Sequence, residues 1–97
     1  MTAYLIANVD VHDPDAYEAY RSRTGAIVER HGGRFIVRGG KIHQLEGPSW
    51  AHRLVIIKFP DLDAARGFYD SPEYQEVIPL RTNVSDGALL IVEGPDD

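Results

Sequence analysis

Two β-α-β runs of nearly equal length follow one another in this chain, and that repetition limits the fold more than any other feature. Residues 3–11 alternate, with Ala3, Leu5, Ala7, Val9 and Val11 on one side and Tyr4, Ile6, Asn8 and Asp10 on the other. This is the period of a half-buried strand. Asp13-Pro14 then opens a helix, since the carboxylate caps free amides and proline suits the first helical position. Its stripe is Tyr17, Tyr20, Thr24, Ile27, Val28 and His31, and Gly32-Gly33 stops it. Arg34 to Arg38 reads as a second strand, turned by Gly39-Gly40 into a short third one through Leu45, a hairpin arm. After the Gly47-Pro48-Ser49 loop comes the strongest strand, His52 to Phe59, β-branched at Val55, Ile56 and Ile57.

The second half repeats the plan. Asp61 caps a helix carrying Leu62, Ala65, Phe68 and Tyr69, and Ser71-Pro72 caps a shorter one with Tyr74, Val77 and Ile78 that Pro79 is expected to break. Asp86-Gly87 reads as a turn into a last strand, Ala88 to Glu93. The order β-α-β-(β)-β-α-α-β predicts an α+β fold: a ferredoxin-like split βαβ sandwich with a four-stranded antiparallel sheet, its helices on one face and a short hairpin arm. At 97 residues the chain has material for one core, so one domain over 1–97 is expected. Only Pro95-Asp96-Asp97 reads as a loose tail.

A sheet covered on one face leaves the other open. With Leu5, Ala7, Val9, Phe35, Val37, Val55, Ile57, Phe59, Leu90 and Val92 under the helices, the opposite face carries Tyr4, Ile6, Asn8, Asp10, Arg34, Ile36, Arg38, His52, Leu54, Ile56, Lys58, Leu89, Ile91 and Glu93. Half of that face is apolar, which predicts a two-fold partner laying its own sheet over it and enclosing the charged groups in a shared cavity.

Charge sharpens the reading. Ten basic against fifteen acidic residues give a net −5, yet eight of the ten basic residues lie between Arg21 and Lys58 with only Glu29 and Glu46 among them. The overall sign disfavours nucleic acid and anionic membranes, and no strand has the basic, aromatic-rich character of an RNA-binding sheet. No apolar run approaches the ~20 residues of a membrane span. The start of the chain lacks a signal-peptide pattern, and with zero cysteines a cytoplasmic location is expected. Asn83-Val84-Ser85 matches a glycosylation sequon and reads as an ordinary turn. There is no GxGxxG, no GxxxxGK[ST], no HExxH and no GxSxG, and the four histidines show no ligand spacing. Neither a metal nor another cofactor is expected.

Four segments resemble a known family: Asn8-Val9-Asp10-Val11-His12-Asp13-Pro14-Asp15-Ala16-Tyr17, Gly32-Gly33-Arg34-Phe35-Ile36-Val37-Arg38-Gly39-Gly40, Phe68-Tyr69-Asp70-Ser71-Pro72-Glu73-Tyr74-Gln75 and the closing Leu90-Ile91-Val92-Glu93-Gly94. Together they are similar to the domain-of-unknown-function 1330 family of small bacterial proteins across essentially the whole chain. The resemblance implies a dimeric α/β-barrel and no particular activity. The wider superfamily, which includes cofactor-free monooxygenases, lactone isomerases, polyketide cyclases and haem enzymes, points only to small-molecule chemistry.

The candidate site residues follow from the open face. Arg34 and Arg38, four strand residues apart, would share it about 13 Å from one another and bracket a carboxylate or phenolate. Arg38 stands equally as a hairpin brace or as a partner of Asp10 or Glu93 across the dimer. His52 and Asp10 are the candidate proton carriers. Asn8, His43, Trp50 and Tyr69 complete the expected substrate-binding set; for Trp50 dimer packing competes with a pocket role, and for Tyr69 helix-to-sheet core does. Arg81 either closes the cavity mouth or forms a surface pair. The functional expectation is a homodimer whose pocket takes a small anionic or carbonyl compound for isomerase, cyclase or lactone-type chemistry. A non-catalytic binding or sensing module and a cofactor-free monooxygenase are the alternatives.

Overall fold

Each helix begins where a short polar side chain can turn back onto the backbone. In the computed structural model, which describes residues 1–95, the elements run β1 (Ala3–Val11), α1 (Pro14–Arg30), β2 (Arg34–Arg38), β3 (Arg53–Phe59), α2 (Leu62–Asp70), α3 (Pro72–Thr82) and β4 (Ser85–Glu93). The Asp13 carboxylate accepts from the Ala16 amide at 3.1 Å and Asp61 from Ala64 at 2.8 Å. Ser71 serves two helices at once. Its hydroxyl donates to the Phe68 carbonyl at the end of α2 and accepts from the Tyr74 amide at the start of α3. The expected loose tail reaches Asp96 and Asp97, which lie outside the described residues.

The sheet order is β2-β3-β1-β4 and every neighbouring pair is antiparallel. Each β-α-β run is therefore split by a strand of the other, the ferredoxin-like arrangement, with an α+β architecture of one sheet and three helices. The buried side of the sheet is Ala3, Leu5, Ala7 and Val9 from β1 with Val55, Ile57 and Phe59 from β3. Against it pack Tyr17, Ile27 and Val28 of α1, Ala65 and Phe68 of α2, and Tyr74 and Val77 of α3. Phe68 is the hinge of this packing, its ring 5.5 Å from Phe59 and 4.4 Å from Tyr74. Full burial of each such side chain contributes about 1.5–3 kcal/mol.

Four details differ from the sequence reading. Residues 39–52 form no strand, so the expected hairpin arm through Leu45 is an irregular excursion from the sheet edge. The physical reason is that β3 already occupies the inner edge of β2, and Gly39, at φ 71°, leads the chain away from it. Pro79 does not end α3; it sits inside the helix with one more turn to Thr82, and its carbonyl accepts from the Asn83 amide. Asp86-Gly87 is not a turn but part of β4, opposite Asp10 and Val9. Finally, β4 shows the reverse of the expected faces. Leu89 and Ile91 lie opposite Ala7 and Leu5 on the helix side, while Leu90 and Val92 face outward with Ile6 and Tyr4.

Candidate functional site

A β-bulge decides where the positive charges go. Arg34 pairs with Lys58 and Phe35 with Ile57, but the next partners are Val37 with Ile56 and Arg38 with Val55. The extra residue, Ile36, shifts the alternation by one. Arg34 therefore stays on the open face with Lys58, whereas Arg38 turns to the helix side with Val55. The expected shared face for Arg34 and Arg38 does not form, because the bulge at Ile36 breaks the period-2 alternation between them. On β3, Arg53 follows the same parity as Val55, Ile57 and Phe59 and also points under the helices.

Beneath α1 these side chains close a cavity of ≈30 Å³, lined by the charged groups of Arg21, Arg38, Arg53 and Arg81 and by tyrosine, phenylalanine and aliphatic groups. Four guanidiniums and no Asp, Glu or His contribute to this lining. Its volume matches one or two water molecules. Immediately outside, sharing Val9, Tyr17, Arg21 and Arg53, an open vestibule of ≈500 Å³ is bounded by Asp10, Glu18, Gly39 and His52. A ring-sized guest would require side chains at the junction to move aside. Arg38 and Arg53 stand there: the Arg38 guanidinium donates to the Arg21 carbonyl at 2.9 Å and lies 4.0 Å over the Phe35 ring, and that of Arg53 sits 5.7 Å from the Tyr17 ring centre. A side chain on Gly39 would collide with the Arg53 guanidinium, so this glycine makes room for it.

Arg81 forms the closed end. It is only 8% exposed, its Nε has no hydrogen-bond partner among the described residues, and its guanidinium lies 5.8 Å from the Tyr20 ring centre. Beside it the Tyr20 and Tyr74 hydroxyls meet at 2.7 Å. Burial raises both phenol pKa values above the ordinary range, so both hydroxyls are neutral at physiological pH; the Arg81 charge opposes the shift without reversing it. At the mouth, partial burial and then the Arg21 and Arg53 charges lower the Arg38 pKa. Crowded like charges of this kind favour an anion among them.

The expected site residues divide between the two faces. Arg38 lines the cavity, and Asp10 and His52 stand in the vestibule 3.9 Å apart, both half-exposed. Asn8 holds the loop into β3: its amide donates to the Trp50 carbonyl at 3.0 Å and its oxygen accepts from the His52 amide at 2.8 Å. Trp50 and His43 are exposed in residues 39–52, and Arg34 lies on the open face. Tyr69 lines a separate groove of ≈300 Å³ with Leu62, Arg66 and β4 residues Leu89–Ile91. Arg53 and the hydroxyls of Tyr17 and Tyr20 lie outside the expected set, and Tyr74, whose hydroxyl the sequence offers to a pocket as the lesser alternative to helix-to-sheet core, joins them in the lining. Signals for them exist: Arg53 shares the parity of the core residues of β3, and Arg81 continues the Tyr74, Val77, Ile78 stripe at helical spacing. Among the described residues no group of three or more His, Asp or Glu is placed to hold a metal ion. No helix is long and apolar enough to cross a membrane.

Among solved structures the fold has clear likenesses. A protein of unknown function from Rhodopseudomonas palustris superposes with TM-score 0.75 at 23% identity, covering 99% of this chain and 84% of that one. SnoaB, a cofactor-independent oxygenase from Streptomyces nogalater, superposes with TM-score 0.67 at 19% identity, covering 99% and 95%. A dimeric ferredoxin-like protein of unknown function from Jannaschia sp. CCS1 gives TM-score 0.65 at 13% identity, covering 97% and 100%. Identities this low carry the fold alone. Among curated proteins nothing matches the chain significantly. Residues 2–95 match the domain of unknown function DUF1330, and with nearly the whole sequence inside that match the chain belongs to the DUF1330 family.

Proposed function

We propose that this protein binds a small organic anion, or a carbonyl compound that becomes one, in the cavity between α1 and the sheet, and acts on it without a cofactor. The observation that carries this reading is Arg81, a buried guanidinium with an unpartnered Nε at the end of a cavity lined by no carboxylate. A buried charge with no carboxylate partner is costly, and a ligand anion compensates it. In this reading Arg81 holds negative charge at the closed end, Arg38 and Arg53 hold it at the mouth, and the aromatic walls take an apolar body. The chemistry suited to such a site is stabilisation of an enolate or related oxyanion, as isomerisation, cyclisation and lactone opening require. In the same reading His52 and Asp10 exchange protons at the vestibule, supported by their both bordering it. The protein works as a homodimer, for which the apolar open face and the dimeric neighbours give support.

A second reading is cofactor-free oxygenation, favoured by the superposition on SnoaB, a cofactor-independent oxygenase. It uses the same anion. An enolate or phenolate held by the arginines is the electron-rich species that would meet molecular oxygen. Absence of turnover with any bound compound would leave the protein as a binding or sensing module.

Calorimetric titration with benzoate against benzamide, its neutral isostere, tests the anion reading directly. Benzoate is expected to bind saturably and benzamide much more weakly, with Arg53→Met weakening benzoate about tenfold or more. Equal binding of the two, or none, would remove the basis for the proposal.

A further inference from the structure

We infer that the closed end of the cavity is an oxyanion site, in which Arg81 and the Tyr20–Tyr74 hydroxyl pair together receive a single phenolate or enolate oxygen. The inference rests on the anion-pocket reading above and deepens it by naming the ligand chemistry at one end. Two phenol hydroxyls carry two hydrogens, and one lies between Tyr20 and Tyr74 at 2.7 Å. The second has no carbonyl or carboxylate acceptor among the hydrogen bonds of the described residues, so the pair keeps one donor for a guest. Arg81 adds another donor, its unpartnered Nε.

The two ends of the cavity suit different anions. At the mouth, Arg38 and Arg53 bring guanidinium forks, the match for a carboxylate with two oxygens, while the Arg21 guanidinium is already paired with the Glu18 carboxylate at 2.9 Å. The closed end offers a hydroxyl and one guanidinium N–H, which suits one oxygen attached to a flat carbon skeleton. Walls of Tyr17, Phe35, Phe68 and Leu89 border that skeleton. The Thr24 hydroxyl is not available, because it donates to the Arg21 carbonyl at 3.2 Å. With no Asp, Glu or His in the lining, a phenol or enol that binds here gives its proton to solvent buffer on entry and stays as the anion. Neutral hydroxyl donors next to a fixed positive charge, shielded from water, favour the charged form of the guest.

The test uses 4-nitrophenol, whose anion alone absorbs in the visible, with 4-nitroanisole as the neutral control. At a pH below the pKa of the free phenol, adding the protein is expected to generate the phenolate absorbance saturably, while 4-nitroanisole binds far more weakly. Tyr74→Phe and Tyr20→Phe are each expected to weaken the phenolate about ten- to a hundredfold. Benzoate affinity, set by the arginines at the mouth, is expected to stay within about twofold in both. Tyr74 is fully buried, so Tyr20→Phe provides the second variant if Tyr74→Phe does not fold. Normal benzoate binding with 4-nitrophenol bound in its neutral form, or with a phenolate indifferent to Tyr20→Phe, overturns the oxyanion site alone. Failure of benzoate and 4-nitrophenol together overturns the anion pocket and this inference with it.

Discussion

Arg81 sits where a helix of this size would ordinarily place a leucine. It follows Tyr74 and Val77 around the inner side of α3, and all three are buried. Taking a guanidinium out of water costs several kcal/mol, and no carboxylate in the cavity lining offsets it. Its ring contact with Tyr20 recovers part of that cost, of the order of 1–2 kcal/mol. Arg81→Met keeps the long stem and removes the charge. The expected outcome is a melting temperature unchanged or raised by a few degrees, together with loss of 4-nitrophenolate binding, a gain in stability at the expense of function. Thermal melts and calorimetry on the same variant check both halves. A melting temperature lowered by about 5 °C or more would show instead that the guanidinium holds the fold, since that shift corresponds to roughly 1 kcal/mol in a domain of this size. Sequence alone exposes Arg81 as a charge on an apolar stripe, but not that its neighbours leave it without a partner, because those neighbours come from α1 and the sheet.

At the scale of elements, local patterns set the order and the caps, while strand parity came from tertiary contacts. Asp13, Asp61 and Ser71 cap the helices as their sequence contexts predict. Strand β1 shows its expected faces because only one parity is uniformly apolar. In β4 the run Leu89-Leu90-Ile91-Val92 is apolar on both parities, so alternation contains no information about which side is buried. Similarly, nothing in Arg34-Phe35-Ile36-Val37-Arg38 marks Ile36 as the bulged residue, yet that one insertion carries Arg38 from the open face into the cavity. The parity of β4 is pinned instead by Gly87. A Cβ at that position would run into the Asn8 carbonyl oxygen and come within 3.0 Å of the Val9 Cα. Gly87→Ala must push β4 away from the central strand β1, and it is expected to destabilise the protein by about 2–3 kcal/mol. Chemical denaturation reads this as a lower midpoint at unchanged slope. A loss below ~0.5 kcal/mol would mean that β4 can shift without consequence.

The whole molecule is a slab, 35 × 33 Å across and 16 Å deep in its Cα trace, with all three helices on one side. The other side is broad enough for the ~800 Å² per partner of a standard interface. Tyr4, Ile6, Leu54, Ile56, Leu90 and Val92 form its apolar centre, and Leu90 and Val92, at 53% and 47% exposure, have the least packing within their own chain. The corrected parity of β4 keeps this face apolar, because it exchanges Leu89 and Ile91 for outward-facing Leu90 and Val92. It also separates two roles that the sequence reading had merged. Under the proposed homodimer the face expected to hold the ligand serves instead as the assembly surface, and the arginine cavity lies on the opposite side of the same sheet. Leu90→Asp and Val92→Asp place carboxylates at the apolar centre, where a two-fold contact would bring them close to their own copies and leave them desolvated. Within one chain they cost little, since both positions are solvent-exposed and lie outside the helix-side core. The double variant is therefore expected to keep its fold by circular dichroism and to halve its mass by light scattering, from twice 10.8 kDa to a single chain. Benzoate binding should survive the dissociation if the cavity under α1 is complete within one protomer. An unchanged dimer mass would move the interface away from β4, and a wild-type protein already monomeric would leave this face to another partner.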